Sequence, residues 1–241
     1  MLDEILSNND VIKEKTMKVF EAGKAQGGSG YDWENIQLGG TRGDYRYMFG
    51  GYSWNDDNFK PIYDIDMRYG EYAFTYSEIT NLKAILERQN VKLILSNNNN
   101  NVVRMFAFSR ITHIPDALLN GVNDLNYYLA NAKQLIDAGT ITIKDDGTQT
   151  FNSCFQNCDS LEEIRFNGVI GRDLDIHWST KLTAVSYNSI MAHLSTTSTG
   201  KTVTLPSYEI VKATYDDTSA YGEGAWDAIV ATKPNWTIAY N

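Results

Sequence analysis

The sequence has few of the residues on which metal centres and disulfide scaffolds depend. Among 241 residues it has 2 cysteines, 3 histidines and 4 prolines. Cys154 and Cys158 are four positions apart, and no second pair or nearby histidine completes the four ligands of a structural zinc site. We interpret them as buried residues of a repeat turn, with a redox or metal pair as the alternative. The sequence therefore predicts neither a metal nor a cofactor.

Long apolar runs and positive charge are scarce as well. No run approaches the roughly 18 apolar residues of a membrane helix. The opening residues, MLDEILSNND, predict no secretory signal because they lack its basic and apolar regions. The chain has 21 lysines and arginines against 30 aspartates and glutamates, a formal net charge of −9. Since a face that binds nucleic acid must be basic, we expect neither nucleic acid nor a membrane as a partner.

Aromatic residues, by contrast, are abundant, and some of them mark a repeat. A clear copy begins with a small or sulfur-containing residue and an aromatic, followed after five or six residues by aliphatic residues and a strand, and a degenerate copy begins at Tyr128-Leu129. The anchors are 25, 32, 23 and 26 residues apart; they are Phe49, Phe74, Phe106, Leu129 and Phe155. One copy cannot bury its apolar face alone, so stacked copies must share one core. The pattern predicts a short solenoid over residues 44–170, with the anchors in its core and a strand across Ile164, Phe166 and Val169.

The two ends of the chain lack the repeat that marks its middle. Residues 1–43 predict an amphipathic helix over 2–23 and then a glycine-rich connector, together an attachment arm. The helix is suited either to an intersubunit coiled coil or to packing on its own body. Residues 171–241 predict an α+β module that covers the open end of the solenoid. Its expected elements are a helix capped by Ser186 and ending at Leu194, a strand in TSTGKTVTL, helices over 206–214 and 223–232, and a strand over 236–240.

One segment of the repeat resembles a known family. TFNSCFQNCDSLEEIRFNGVIG resembles leucine-rich repeats of the BspA type. Together with VFEAGKAQG, GKTVTL and WDAIVATKPNWTIAY, it is similar to proteins encoded by phages and prophages of Gram-positive bacteria. The resemblance implies an α+β protein: a short leucine-rich-repeat-like β-solenoid with an N-terminal helical arm and a C-terminal α+β cap.

For function, the resemblance implies a non-enzymatic structural or recognition protein of the virion, on the tail or baseplate. The arm would attach to other virion proteins, and the repeat body would be presented to a host-surface glycan or protein. A homo-oligomer is a further expectation, a trimer by analogy with phage fibres. BspA-type repeats also occur in bacterial adhesins, so an extracellular adhesin module is the alternative. The missing secretion signal favours the virion, whose components are assembled in the host cytoplasm.

A glycan hydrolase is a third hypothesis, because neighbouring carboxylates can serve as an acid and base pair. Such pairs occur at Asp56-Asp57, Asp64/Asp66, Asp145-Asp146 and Asp216-Asp217. They lie in turn-like contexts, where aspartate caps the backbone and meets water. We therefore expect structural roles for them and no catalytic residues.

Aromatic residues outside the repeat frame are the candidates for ligand binding. Tyrosine and tryptophan offer rigid contact area with a polar tip, which suits stacking on sugars or docking a protein. Because the chain is acidic, a neutral saccharide or a protein is a better partner than an anionic polymer. The candidates are Tyr45, Tyr47, Tyr52, Trp54, Tyr69, Tyr72, Tyr76 and Trp178, with Tyr63, Tyr127 and His177 as further aromatics of this kind.

Overall fold

The structure mixes helices and parallel strands. It is a computed structural model that describes residues 43–44, 49, 54–61, 65–69, 72–95, 102–115, 119–122, 124–143, 150–217 and 219–241. The predicted helix over 2–23 lies outside these residues, as does the glycine-rich connector except for Gly43, which begins β1. In chain order the elements are β1 (Gly43–Asp44), β2 (Ile65–Tyr69), α1 (Leu82–Gln89), β3 (Leu93–Leu95), β4 (Leu119–Val122), β5 (Asp137–Ile143), β6 (Glu163–Asn167), β7 (Leu174–Asp175), α2 (Ala184–His193), β8 (Lys201–Leu205), α3 (Tyr208–Tyr215), α4 (Ala225–Ala231) and β9 (Trp236–Tyr240).

The strands form small parallel sheets in sequence order. Their orders are β1-β2-β3, β4-β5-β6 and β7-β8-β9. Parallel neighbours require a crossover connection, and here a turn segment lies in several of these connections. The longest regular pairing is that of β8 with β9, from Lys201 opposite Trp236 to Leu205 opposite Tyr240.

The turn segments stack on one another in a column. Each anchor amide donates to the carbonyl of the residue just before the next anchor: Phe49 to Ala73, Phe74 to Met105, Phe106 to Tyr128, and Leu129 to Cys154, with N···O distances of 2.8–3.0 Å. We call the segments 72–77, 104–109, 127–132 and 153–158 the turn column. Successive copies of the repeat are therefore hydrogen-bonded neighbours. The leucine-rich-repeat solenoid itself stays a prediction.

The anchor side chains fill the centre of this column. Phe49, Phe74, Phe106, Leu129 and Phe155 are all fully buried, which confirms their predicted place in the core. The rings of Phe49 and Phe74 stack at 5.1 Å and those of Phe74 and Phe106 at 5.2 Å between centroids. The packing of large rings in direct contact is a major source of the apolar burial that drives folding.

Helix α2 closes the outer edge of β6. The Ile164 and Phe166 amides, which point away from β5, donate to the hydroxyls of Ser186 and Ser189 at 3.0 and 2.9 Å. The prediction that Ser186 caps this helix is wrong. The helix begins at Ala184, and the Thr183 side chain accepts from the Ser186 amide. The Ser186 hydroxyl instead accepts from the Ile164 amide of β6. This is a tertiary contact that helix-cap statistics cannot anticipate.

Two further features differ from the predictions. Strand β6 ends at Asn167 because Gly168 turns the chain with a φ of 101°, so the strand stops before Val169, which is exposed. The long spacing between Phe74 and Phe106 contains helix α1, which was not predicted. Its buried residues, Leu82, Ile85 and Leu86, follow the helical i, i+3, i+4 spacing. Residues 96–101, which also lie in this spacing, are outside the described residues.

The two cysteine thiols lie in the turn column and are buried, as predicted. Burial raises the pKa of Cys158 to about 12 and that of Cys154 well above its usual value. Because the thiolate is the reactive form, we expect neither cysteine of the native protein to react with a coloured disulfide reagent at pH 8. Both should react once the protein is denatured. Rapid reaction of one equivalent under native conditions would contradict this burial.

Candidate ligand-binding surface

Each segment of the turn column holds two residues in the left-handed backbone conformation. One lies two positions before the anchor and the other two positions after it, and their φ angles are 51–61°. Before the anchor they are Tyr72, Arg104, Tyr127 and Ser153; after it they are Tyr76, Phe108, Asn131 and Asn157. Since the anchor side chain points into the core, these flanking side chains form two rows on the outside of the column.

In the first row, the Arg104 side chain contacts the rings of Tyr72 and Tyr127. The Arg104 guanidinium carbon lies 5.7 Å from the centroid of the Tyr72 ring and 4.8 Å from that of Tyr127. Its Nη1 also donates to the Tyr72 hydroxyl at 3.3 Å. Contacts of this kind stabilise by about 0.5–1 kcal/mol at exposed sites. The three side chains therefore hold one another in place along the column.

The second row begins with two stacked rings. Tyr76 and Phe108 lie 4.8 Å apart between centroids, at 19° between ring planes. In the next two turns the row continues as amides, with Asn157 Nδ2 donating to Asn131 Oδ1 at 2.7 Å. The row thus changes from aromatic to amide side chains at equivalent backbone positions.

The two rows lie close to one another along the column. Tyr72 and Tyr76 are four residues apart, so their Cα atoms are separated by at most about 14 Å, and one partner can contact both rows. The side chains of Tyr76, Phe108 and Tyr127 are 40%, 45% and 37% exposed. We call this surface the aromatic band; its residues are Tyr72, Tyr76, Arg104, Phe108 and Tyr127.

The backbone at the aromatic band argues against a purely structural reason for its rings. The left-handed conformation costs an ordinary residue roughly 1–2 kcal/mol, and asparagine adopts it more readily. Asn131 and Asn157 occupy this position in the later turns. A stacked aromatic pair stabilises by about 0.5–1.5 kcal/mol. At best this offsets the cost of the left-handed backbone at Tyr76 and Phe108. Exposed rings are thus present where asparagine would serve the fold at least as well.

The structure brings two of the predicted ligand residues together and separates others. Tyr72 and Tyr76 belong to the aromatic band. Trp54 does not: it is fully buried, 5.5 Å from the Phe49 ring and 6.0 Å from the Phe59 ring, so it is a core residue. Tyr69 is the last residue of β2, opposite Asp44 of β1. Tyr45, Tyr47, Tyr52 and Tyr63 lie outside the described residues.

Trp178 is a separate exposed aromatic, in the loop after β7. Its ring lies 4.6 Å from that of His177, whose Nδ1 is 2.6 Å from Asp175 Oδ1. Arg104 and Phe108, in contrast, were missed as candidates. Aligning the copies on their anchors would have found them, because each lies two positions from Phe106, as Tyr72 and Tyr76 do from Phe74.

Among the carboxylates of the hydrolase hypothesis, Asp56 and Asp216 have local partners, and Asp64 lies outside the described residues. Partial burial of Asp56 opposes its ionisation, but hydrogen bonds from Thr80 and Asn81 outweigh this and lower its pKa. The pKa of Asp216 is lowered chiefly by Lys212, whose Nζ donates at 2.5 Å. A glycosidase acid needs a raised pKa, which is the opposite direction. Asp145 and Asp146 lie outside the described residues.

Within the part of the chain that the structure describes, no group of three or more histidine, cysteine or acidic residues is placed to hold a metal ion. The helices in that same part are too short or too polar to cross a membrane. No family model, curated protein or solved structure matches the chain.

Proposed function

We propose that this chain is a non-enzymatic recognition protein that docks a protein partner through the aromatic band. The observation that carries the proposal is the exposure of rings in a backbone conformation that asparagine adopts at lower cost. Strain of this kind, kept where it adds no clear stability, is typical of binding and catalytic surfaces. The stacked repeats, which we take to be a leucine-rich-repeat-like solenoid, supply the rigid support.

The orientation of the rings favours a protein over a saccharide. One face of Tyr76 covers one face of Phe108, and Arg104 covers the Tyr72 and Tyr127 rings. In these contacts one face of each ring is already covered by a neighbouring side chain, whereas a sugar stacks on a free ring face. Tyrosine and arginine are also the residue types enriched at the energetic centres of protein interfaces.

Charge restricts the partner further. The chain carries a formal net charge of −9, so anionic polymers are repelled at long range. The cation in the band, Arg104, is already engaged with two tyrosines. An uncharged or mildly basic protein surface fits this electrostatic setting.

The biological setting that we propose is a phage virion, at the tail or baseplate, with a host-surface protein as the partner. It rests on the similarity of the repeat to BspA-type repeats of phage-encoded proteins. Mass spectrometry of purified particles tests it directly, and we expect peptides of the chain in the particles. Peptides found only on the bacterial surface would favour the adhesin alternative.

Replacing both exposed rings of the second row tests the band. We expect the double variant Tyr76→Asn, Phe108→Asn to fold with a stability within about 1 kcal/mol of the original, because the lost stacking is offset by the easier left-handed backbone. Its binding to intact host cells, measured with fluorescently labelled protein, should fall at least tenfold. Exposed Val185, in helix α2, offers a matched control as Val185→Asn.

Treatment of the cells separates the two partner classes. Protease treatment should abolish binding of the original chain, and periodate oxidation of surface sugars should leave it unchanged. The proposal fails if the double variant binds as well as the original, or if periodate alone removes the binding.

A further inference from the structure

Strand β9 is an edge strand of the third sheet. The strand order is β7-β8-β9, and among the described residues β9 pairs with β8 alone. One face of the strand packs on the protein, since Trp236 is buried and Ile238 and Tyr240 pack partly against the core. At the edge opposite β8, no strand of the described residues pairs with it.

The backbone groups on this open side can be identified from the register. The Asn241 amide donates to the Leu205 carbonyl at 3.0 Å, and Leu205 lies opposite Tyr240. In a parallel pair, alternate residues bond to the same neighbour, so Thr237 and Ala239 also face β8. Ile238 and Tyr240 therefore direct their amides and carbonyls to the open side.

The contrast with β6 shows that this fold covers such groups elsewhere. There the outward amides of Ile164 and Phe166 donate to Ser186 and Ser189 of α2. In the described residues no hydrogen bond reaches the Ile238 or Tyr240 amide from outside the sheet. Of the outward residues, Trp236 alone has its amide occupied, by the Lys233 carbonyl at 3.0 Å.

The edge also lacks the usual protection against strand pairing. Proteins block exposed edges with charged side chains, proline or a bulge. The sequence of β9, WTIAY, contains no charged residue and no proline. Its register with β8 is regular over all five residues, so it has no bulge. An edge of this kind is a template for another strand.

We propose that β9 binds β9 of a second copy of this chain, antiparallel about a two-fold axis through Ile238. The Ile238 amides of the two copies then exchange hydrogen bonds with the opposite Ile238 carbonyls. The Tyr240 amide of each copy donates to the Trp236 carbonyl of the other. The result is a continuous sheet in which the open amides of both edges are satisfied.

The absence of charge along the edge suits a second copy as the occupant. In a two-fold pairing both edges are the same, so a charge on the edge would face the same charge or lie close to it. In this pairing Trp236 faces Tyr240, Thr237 faces Ala239, and Ile238 faces Ile238, all uncharged. In a chain with a net charge of −9, a charge-free strand edge adds no like-charge pair at the contact between two copies.

Sedimentation equilibrium of the full chain over about 1–100 µM tests the proposal. We expect twice the chain mass at the upper concentrations. Two variants should each weaken the dimer at least tenfold. Ile238→Pro removes an outward donor, and proline is tolerated where the amide faces away from the ladder. Thr237→Lys adds a charge at an exposed position of the edge. Val185→Lys, which adds the same charge far along the sequence in α2, should leave the dimer unchanged.

Hydrogen exchange supplies a readout that does not depend on the variants. The Ile238 and Tyr240 amides should exchange slowly in the dimer and at least tenfold faster at concentrations where the monomer prevails. A chain that is monomeric throughout the range overturns the proposal, as does a species larger than a dimer. So does a dimer that Thr237→Lys leaves intact while the variant keeps its native near-UV circular dichroism.

Discussion

Gly168→Ala should destabilise the protein by at least about 3 kcal/mol, one of the largest effects of any single methyl group in this chain. A Cβ atom at position 168 would lie 2.3 Å from the Ile143 carbonyl oxygen and 3.1 Å from the Ile143 carbonyl carbon. These atoms belong to the backbone of β5 and cannot rotate away. The φ of 101° adds strain for any residue with a side chain, about 1–3 kcal/mol, and overpacking adds a similar amount.

Gly200 provides the matched control for this prediction. Its φ is also positive, at 64°, but a Cβ there would have nothing within 4 Å. Gly200→Ala should therefore cost only the backbone preference, about 1 kcal/mol. Urea unfolding followed by circular dichroism measures both variants. Equal costs for the two would show that the close approach of Gly168 to β5 does not contribute.

The glycine turn also shows what the sequence alone could and could not predict. Hydrophobic spacing correctly placed the anchors in the core, because burial of one large side chain per copy is what the repeat requires. The prediction extended the strand to Val169 as the next apolar residue, although Val169 lies three positions after Phe166 and does not fit the period of two set by Ile164 and Phe166. A close backbone approach such as that of Gly168 to Ile143 joins residues 25 apart and leaves no periodic signal.

Trp54 shows a different kind of error. It lies five positions after its anchor, as Ile79 and Ile111 do, and all three are fully buried. The repeat frame would therefore have assigned it to the core, but its residue type led us to place it outside the frame as a ligand contact. Tyr72 and Tyr76 were predicted as ligand-binding residues on the same ground, namely that they are tyrosines. What hydropathy could not show is the left-handed backbone that places them in rows with Arg104 and Phe108.

Phe106→Ala is the second substitution for which we expect a large effect, about 3–5 kcal/mol. Phe106 is fully buried and contacts rings on both sides, stacking on Phe74 at 5.2 Å and meeting Tyr128 edge-on at 5.4 Å. Truncation removes both ring contacts and leaves a cavity inside a column whose turns are fixed by backbone hydrogen bonds. Because the turns cannot move closer to fill this space without breaking those bonds, the cavity should persist. For a domain with a total stability of about 5–15 kcal/mol, this is a large fraction.

Phe106→Leu separates the cavity from the loss of the ring. The chain itself uses leucine at the equivalent position, Leu129, where it is fully buried, so the column accommodates this side chain. We expect a cost of about 1–2 kcal/mol, since most of the apolar volume is retained and only the ring contacts are lost. Chemical denaturation of the two variants gives the comparison. If alanine and leucine at position 106 cost the same, the stability of the column comes from its backbone ladder and not from the filling of its centre.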